Sequence, residues 1–225
     1  MKKILIIASH PDDEVLGCFG TVARLISEGH EAYTLILGEG KTSRDENRVV
    51  ENRKDDIEVL NTEIVKANNI IGIKKVFIES FPDNRFDSVD LLDIIKVISK
   101  VKEEVQPDII FTHFENDLNI DHQITYKAVV TATRPMENES VKEIYSFEIL
   151  SSTEWNYPLS FSPDTYFDIS DTMNLKLEAM KKYISELCEY PHPRSLEGIE
   201  LNGKYQGMRV GKKYVEAFKT VRNIR

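Results

Sequence analysis

The sequence predicts an α/β fold, a Rossmann-like three-layer sandwich with a mostly parallel sheet, from three observations. Short apolar runs alternate with segments of helical periodicity along most of the chain. The 225 residues, of which 41% are hydrophobic, suffice for one sizeable core. No internal repeat, low-complexity tract or linker interrupts the pattern. We therefore expect a single domain over residues 1–225, with residues 173–225 as a C-terminal extension of helices and loops.

The chain begins with a strand, a helix and a second strand. KKILIIA, residues 2–8, is a continuous apolar run that is too short for a buried helix and is typical of a central strand. Hydrophobic residues then recur at helical spacing from Val15 to Ile26, and Gly29 closes this helix. AYTLILG, residues 32–38, predicts the second strand.

The middle of the chain continues the same alternation. The polar segment GEGKTSRDENR, residues 38–48, predicts a surface loop. A helix, a strand, another helix and a fourth strand follow at residues 50–69, 74–80, 90–104 and 107–113. Because strands and helices alternate, right-handed crossovers would place helices on both faces of a parallel sheet.

The last third of the chain has more mixed patterns. A helix, two strands, a helix and a final short helix are predicted at residues 124–135, 143–150, 161–170, 173–188 and 214–221. Before the final helix lies the turn-rich segment PHPRSLEG, whose two prolines suggest a rigid flap.

Composition and charge exclude several classes of protein. The formal net charge of −9 and the pI near 5.2 offer no basic face for phosphates, so we expect no nucleic-acid partner. The sequence shows no signal peptide and no apolar stretch long enough for a membrane span. Cys18 and Cys188 are not spaced as a ligand pair. A reducing cytoplasmic setting without a membrane partner is therefore expected.

Two polar clusters follow the first and the fourth predicted strands. His10, Asp12, Asp13 and Glu14 come directly after the first strand, and His113, Asp117, Asn119, Asp121 and His122 come after the fourth. In an open α/β sheet, ligands bind outside the carboxyl ends of the strands, so both clusters lie at the same edge of the sheet. If these two strands are neighbours, the side chains converge.

A helix start explains only part of the first cluster. Ser9 or Asp12 as a cap, an early proline and acids in the first turn would all favour a helix. This explanation accounts for one acid but not for three. A divalent metal ion would offset the repulsion between carboxylates, and His10, Asp13 and His122 would form a His2Asp triad with a fourth position open for water. The residues alone leave the metal open between zinc and other first-row ions.

The two clusters also carry a family resemblance. SHPDDEVLG, followed about a hundred residues later by TH...DLNIDH, resembles the PIG-L/LmbE family of zinc-dependent N-deacetylases, and GMRVGKKYVEAF resembles the closing segment of that family. The resemblance implies that His10, Asp13 and His122 bind Zn2+ and that Asp12 is the catalytic base. The implied reaction is hydrolysis of an acetamide by a zinc-activated water, which releases acetate and a free amino sugar.

Other residues near the two motifs receive predicted roles. Glu14 and Asp121 would orient a ligand or the helix turn, because metal-bound histidines usually donate their second nitrogen to a carboxylate or a carbonyl. Asp83 would hydrogen-bond sugar hydroxyls or form a turn. His192 and Arg194 in the PHPRS segment would reach the site on the proline-rich flap or remain in a surface turn.

The sequence departs from the family at Asn119, where several members have a histidine. An amide donates a hydrogen bond to an oxyanion but cannot transfer a proton, so Asn119 would be catalytic only as a donor. The general acid would then be Asp12, His113 or His192, in that order.

The leading functional hypothesis is a metal-dependent hydrolase that removes an acetyl group from an N-acetylglucosamine-type sugar, nucleotide-linked or a glycoside. The alternatives are a deacetylase of a thiol glycoside and a non-catalytic sugar- or nucleotide-binding module of the same fold. A nucleotide-binding oxidoreductase is disfavoured because no G-x-G-x-x-G follows the first strand. The expected partner is the small N-acetylated sugar, and a homo-oligomer is also expected.

Overall fold

The computed structural model describes residues 1–43 and 49–225 and confirms the alternation of strands and helices. The strands are β1 (Lys3–Ala8), β2 (Glu31–Gly38), β3 (Lys75–Phe81), β4 (Ile109–His113), β5 (Glu143–Phe147), β6 (Thr165–Asp168) and β7 (Val215–Asn223). The helices are α1 (Asp13–Ser27), α2 (Lys54–Ile71), α3 (Leu91–Val105), α4 (Ile120–Ala132), α5 (Met173–Met180) and α6 (Leu196–Met208). Part of the predicted loop at residues 38–48, namely 44–48, lies outside the described residues.

The seven strands form one sheet in the order β3-β2-β1-β4-β5-β7-β6. The pairs from β3 to β5 are parallel, whereas β7 runs antiparallel to both β5 and β6. The sheet is therefore mostly parallel, as the sequence predicts. From β1 the chain adds β2 and β3 on one side of the sheet, and it then returns to add β4 and β5 on the other side of β1. The gap between β1 and β4 is thus a topological switch point, where α/β sheets bind ligands.

Helices cover both faces of the sheet, which makes the fold a three-layer sandwich. Ile4 and Ile6 of β1 belong to the core under α1, α2 and α5, whereas Leu5 and Ile7 belong to the core under α3 and α4. All four side chains are fully buried, and burying each contributes about 1.5–3 kcal/mol. Burial on both faces explains why the β1 sequence is continuously apolar rather than alternating.

The C-terminal region differs from the sequence-based prediction. The predicted final short helix at residues 214–221 is wrong, because this segment is β7 within the sheet. The start of β7 is buried on both faces, so its sequence shows no strand-like alternation. The helix predicted at residues 173–188 ends at Met180, and a helix that the sequence did not predict, α6, begins inside the turn-rich segment.

Across residues 1–43 and 49–225, no helix combines the length and the apolar character needed to cross a membrane.

Candidate metal centre

The two predicted polar clusters meet at the carboxyl ends of β1 and β4. These strands are paired, with Ile4 opposite Ile109 and Ile6 opposite Phe111. The loops that leave them are therefore neighbours, and the Ser9 backbone N–H donates to His113 Nε2 at 2.8 Å. The convergence expected from the sequence follows directly from the strand order.

The turn into α1 gives the acids of the first cluster separate environments. Asp12 precedes the helix with φ 93° and ψ −25°, in the left-handed region, and its side chain does not cap α1. Its backbone N–H donates to Glu14 Oε2 at 3.1 Å. The carboxylate of Asp13 accepts the His10 backbone N–H at 2.8 Å. Capping therefore does not account for the three consecutive acids.

His10, Asp13 and His122 place three potential ligand atoms in a nearly equilateral triangle. His10 Nδ1 lies 3.3 Å from His122 Nε2 and 3.4 Å from Asp13 Oδ2, and His122 Nε2 lies 3.3 Å from the same oxygen. Two ligand atoms about 2.0–2.1 Å from a tetrahedral ion would be about 3.3–3.4 Å apart. The donor set and its spacing thus fit a tetrahedral first-row ion such as zinc.

Carboxylates hold the outward nitrogens of both histidines. His10 Nε2 lies 2.9 Å from Asp121 Oδ2, and His122 Nδ1 lies 3.1 Å from Asp117 Oδ1. Because a carboxylate only accepts, the bond to Asp121 places a ring hydrogen on His10 Nε2, and the nearby Asp117 charge favours a hydrogen on His122 Nδ1, although this contact lacks the geometry of a hydrogen bond. Carboxylates in this position are typical of metal-bound histidines.

The charges of His122 and Asp13 shift each other's pKa in opposite directions. Burial alone would lower the pKa of His122, but Asp13 and Asp117 raise it to about 9. Burial alone would raise the pKa of Asp13, but His122 and His113 hold it well below its usual value. A proton on His122 therefore offsets the Asp13 charge in the protein without an ion, which is the charge that a cation would replace.

Asp12 lines the cavity beside the triad and contacts the C-terminal region. Arg194 Nη1 donates to Asp12 Oδ2 at 3.2 Å. Burial and the neighbouring Asp13 raise the pKa of Asp12 well above its usual value, whereas Arg194 lowers it. An acid that is buried, paired and in a cleft is a candidate for proton transfer.

Glu14 is fully buried behind Asp12. Its carboxylate accepts hydrogen bonds from the Tyr183 hydroxyl and from Asn68 Nδ2, in addition to the Asp12 backbone. Burial raises the pKa of Glu14 to about 7, although the Tyr183 hydrogen bond lowers it. Glu14 is thus a buried anchor for the backbone of Asp12.

The site opens into a cavity of about 560 Å³. His10, Asp12, Asp13 and His122 line it together with the loops after β2, β3, β4 and β5 and the segment between α5 and α6. Near its rim, Lys41 Nζ contacts Glu186 Oε1 and Ser185 Oγ, each at 2.6 Å. A cavity of this size is typical of small-molecule sites.

Asp83 and Asn119 also line this cavity. Asp83 Oδ1 lies 3.5 Å from His10 Nε2, and its Oδ2 accepts the Ser43 backbone N–H at 3.3 Å. Asn119 caps α4, since its Oδ1 accepts the Asp121 backbone N–H at 2.8 Å. The Asn119 amide also donates to Asn84 at 2.7 Å, which leaves a second amide hydrogen for another acceptor.

The two remaining predicted histidines do not line the described cavity. His113 is fully buried, and its Nε2 already accepts the Ser9 backbone N–H. Burial and the neighbouring His122 hold the pKa of His113 well below its usual value. His192 Nδ1 accepts the Arg194 backbone N–H at 3.2 Å, and its ring contacts Trp155 edge-on. Of the proline-rich segment, Arg194 reaches the cavity.

Sequence reasoning missed several residues that complete the site. Ser152 and Thr153 donate to the Asp117 carboxylate, and Tyr183 donates to Glu14. Glu186 lines the cavity from the segment after α5. These residue types are common and follow no motif, so no local signal in the sequence marks them.

Known proteins resemble this chain in sequence and structure. Residues 5–133 match the model of the PIG-L family, described as GlcNAc-PI de-N-acetylase. A Bacillus cereus protein named probable N-acetyl-alpha-D-glucosaminyl L-malate deacetylase 2 is 27% identical over 188 residues, which cover 82% of this chain and 84% of the relative. The diacetylchitobiose deacetylase of Thermococcus kodakarensis is 26% identical over 231 residues, which cover 100% and 85%. In structure, the N,N′-diacetylchitobiose deacetylase of Pyrococcus horikoshii has a TM-score of 0.75 and 21% identity, covering 98% of this chain and 84% of that one.

Proposed function

The chain belongs to the PIG-L family, and from that premise we propose that it is a zinc-dependent hydrolase that removes the acetyl group from an N-acetylglucosamine-type sugar. The observation that carries this proposal is the triangle of His10 Nδ1, Asp13 Oδ2 and His122 Nε2 beside the Asp12 carboxylate. Further support comes from the relatives, which are named as deacetylases of N-acetylated sugars. The sugar would be nucleotide-linked or a glycoside.

His10, Asp13 and His122 would hold the metal ion. Bound there, zinc supplies Lewis-acid chemistry for an acyl oxygen and lowers the pKa of a bound water to about 7. Asp121 and Asp117 favour a hydrogen on the outward nitrogens of the two histidines, so the proton that His122 gives up to bind the ion would be the one on Nε2, which faces the triad.

Asp12 is the residue that moves the proton. Its carboxylate would accept the proton of the attacking water and return it to the departing amine. The Arg194 contact favours the ionised base, and the bond from the Asp12 backbone to Glu14 fixes the turn that presents it. His113 is a weaker candidate for the general acid because its Nε2 is already an acceptor, and His192 is weaker because it lies outside the described cavity lining.

Two polar residues of the cavity wall would bind the substrate. The free amide hydrogen of Asn119 would donate to the oxyanion, a contact that is stronger in the transition state than in the ground state. Asp83 would accept hydrogen bonds from sugar hydroxyls. The homo-oligomer and the cytoplasmic location stay predictions.

The metal content of the purified protein tests the site. We expect about one zinc per chain in the parent and almost none in Asp13→Ala and His122→Ala, because each variant loses one of three ligands. Asp56→Ala, which removes an exposed acid at the rim of the same cavity, should retain the metal. A parent protein that takes up no zinc when zinc is supplied would contradict the proposal.

Acetate release tests the reaction. The zinc-loaded protein should release acetate from one of four substrates: N-acetylglucosamine, its nucleotide diphosphate conjugate, its malate glycoside or diacetylchitobiose. Preferential activity on the malate glycoside would match the substrate in the name of the Bacillus cereus relative. Saturable binding of a sugar without acetate release from any substrate would instead favour the non-catalytic binding module.

A further inference from the structure

A buried ion pair contacts the middle of the helix that carries Asp13. Lys176 on α5 and Glu216 on β7 are 5% and 6% exposed, and Lys176 Nζ lies 2.6 Å from Glu216 Oε1. Neither residue lines the catalytic cavity. The chemistry proposed above leaves both of them without a role.

Both members of the pair bind the backbone of α1. Lys176 Nζ donates to Leu16 O at 2.7 Å. The Glu216 carboxylate accepts the N–H groups of Gly20 at 3.0 Å and Thr21 at 2.6 Å. In a regular α-helix the carbonyl of residue 16 accepts the N–H of residue 20. Lys176 therefore contacts the acceptor of this helical hydrogen bond, and Glu216 contacts its donor.

A fourth hydrogen bond reaches α1, and the missing side chain of Gly20 leaves room for the Glu216 carboxylate. Thr172 Oγ1 donates to Gly20 O at 2.7 Å. A Cβ atom at Gly20 would lie 3.1 Å from Glu216 Oε1 and 2.8 Å from Ile169 Cδ1, so a larger residue would shift the Ile169 side chain and crowd the carboxylate. The segment LGCFG of α1 thus receives polar contacts from two elements that are distant in sequence.

We infer that the Lys176–Glu216 pair, together with Thr172, positions α1 along and around its axis, and thereby places Asp12 and the metal ligand Asp13. Leu16 lies three residues after Asp13, about 4.5 Å along the helix. A metal or catalytic site tolerates displacements of only about 0.5 Å, and a helix held at its middle by hydrogen bonds from Lys176, Glu216 and Thr172 keeps its first turn within that limit. These residues are positioning residues, and the inference rests on the proposed metal site.

A contribution to stability alone would not require this pair. Buried ion pairs are often no more stabilising than apolar residues of similar volume, and in some proteins they instead select one arrangement of the groups around them. The charges are also matched to the helix backbone: the cation meets a carbonyl and the anion meets two N–H groups. This match links the pair to the position of α1 rather than to packing in general.

The test compares two double variants. Lys176→Met/Glu216→Gln removes both charges, so that neither is left buried alone. Lys102→Met/Glu139→Gln is the matched control, because Lys102 also bridges a glutamate and a helix carbonyl, that of Ala132 at the far end of α4. The measurements are the zinc dissociation constant by chelator competition, amide hydrogen exchange in residues 13–20, and the melting temperature.

We expect zinc binding about 10–100-fold weaker in the first variant, the range found when groups that orient metal ligands are removed. Exchange in residues 13–20 should be faster than in the parent. The control should bind zinc like the parent even if it melts at a lower temperature. Parent-like zinc binding and exchange in the Lys176/Glu216 variant would overturn the inference.

Two further variants keep the test decisive. Lys176→Glu/Glu216→Lys retains an ion pair but opposes the backbone groups of α1, so it should bind zinc as weakly as the neutral pair; parent-like affinity would contradict the inference. If the double variants do not fold, Thr172→Val removes one hydrogen bond to α1 and should weaken zinc binding about two- to tenfold. Unchanged affinity in that variant would also contradict it.

Neither the zinc dissociation constant nor the hydrogen-exchange rate requires that the protein turn over a substrate. A parent that binds zinc but releases no acetate would refute the proposed reaction and leave the positioning inference to be judged by zinc affinity. If the parent binds no zinc, hydrogen exchange in residues 13–20 still judges the inference.

Discussion

Two regions of the chain contribute to the site in different ways. Residues 1–133, which include the family match, supply the three proposed metal ligands, the proposed base and the cap of α4. Residues 134–225 supply none of these groups but contact them or their supports, through Tyr183 on Glu14, Arg194 on Asp12 inside the cavity, and the Lys176–Glu216 pair on α1. The first region would perform the chemistry, and the second would hold it in place. Loss of a group should therefore abolish a step when it lies in the first region and loosen the geometry when it lies in the second.

The largest effect is expected for Asp12→Asn in the first region. The variant keeps the shape but cannot accept the proton, so kcat should fall about 10²–10⁴-fold while zinc content stays at the parent value. Steady-state acetate release and elemental analysis measure the two quantities. Asp93→Asn, an exposed acid of α3 that does not line the cavity, is the control and should keep parent activity. Unchanged turnover in Asp12→Asn would show that Asp12 is not the base, and that the first region does not supply this step of the reaction.

A smaller effect is expected for Arg194→Met in the second region. Loss of one charge-assisted hydrogen bond to Asp12 should lower kcat roughly 10–100-fold, with little change in KM or zinc content. Arg194→Lys should recover part of the loss because it restores the charge. Arg209→Met, a tail arginine paired with Gln206, should behave like the parent. A rise in KM at constant kcat would instead make Arg194 a substrate-binding residue.

The packing between the two regions is tested by Gly17→Ala. A Cβ atom at Gly17 would lie 2.5 Å from the Phe147 ring, so the variant should lose about 1–3 kcal/mol of unfolding free energy. Gly203→Ala in α6 is the matched control, because its nearest atom would be 3.4 Å away and a helical alanine gains about 0.5–1 kcal/mol over glycine. Urea denaturation measures both. Equal stability of the two variants would show that α1 does not pack tightly against the second region.

The smallest effect is expected within the second region, at Asp164. Burial alone would raise its pKa, but Lys219 and the Thr220 backbone lower it to about 2. Because the folded-state pKa is below the unfolded value, the stabilisation is present above about pH 4 and disappears as the pH falls toward 2. Both side chains of the ion pair are about two-fifths exposed, so screening limits the effect to less than about 1 kcal/mol. The melting temperature of Asp164→Asn should therefore be slightly below that of the parent at pH 7 and equal to it at pH 2. A difference in melting temperature that is the same at both pH values would refute this.

Much of the first region could be predicted from the sequence. β1 and β4 are buried on both faces and therefore read as short apolar runs, and His10, Asp13 and His122 follow these two strands. Because parallel strands present their carboxyl ends at one edge, convergence of these residues required only that β1 and β4 be neighbours.

The second region could not be predicted in the same way. The buried part of β7 contains Glu216, and a charged residue interrupts the apolar run by which a buried strand is recognised. Its burial is explained by the pairing with Lys176, which the sequence does not show. α6 carries three glycines and follows two prolines, which are typical of turns, although packing against β7 keeps it helical. The contacts of Tyr183 and Arg194 join positions more than 160 residues apart, and no local pattern encodes them. A single domain over residues 1–225 stays a prediction, which the shared sheet supports.

The position of β7 sets an order for assembly during synthesis. β7 lies between β5 and β6 but follows both of them in the chain, so neither can complete its backbone pairing until residues 215–223 have left the ribosome. Until then β5 is an open edge, a place where unfinished chains associate with one another. The nascent protein would hold all three proposed metal ligands about a hundred residues before it holds Glu216. A chaperone that shields the β5 edge during this interval should therefore raise the yield of folded protein more than the supply of metal does.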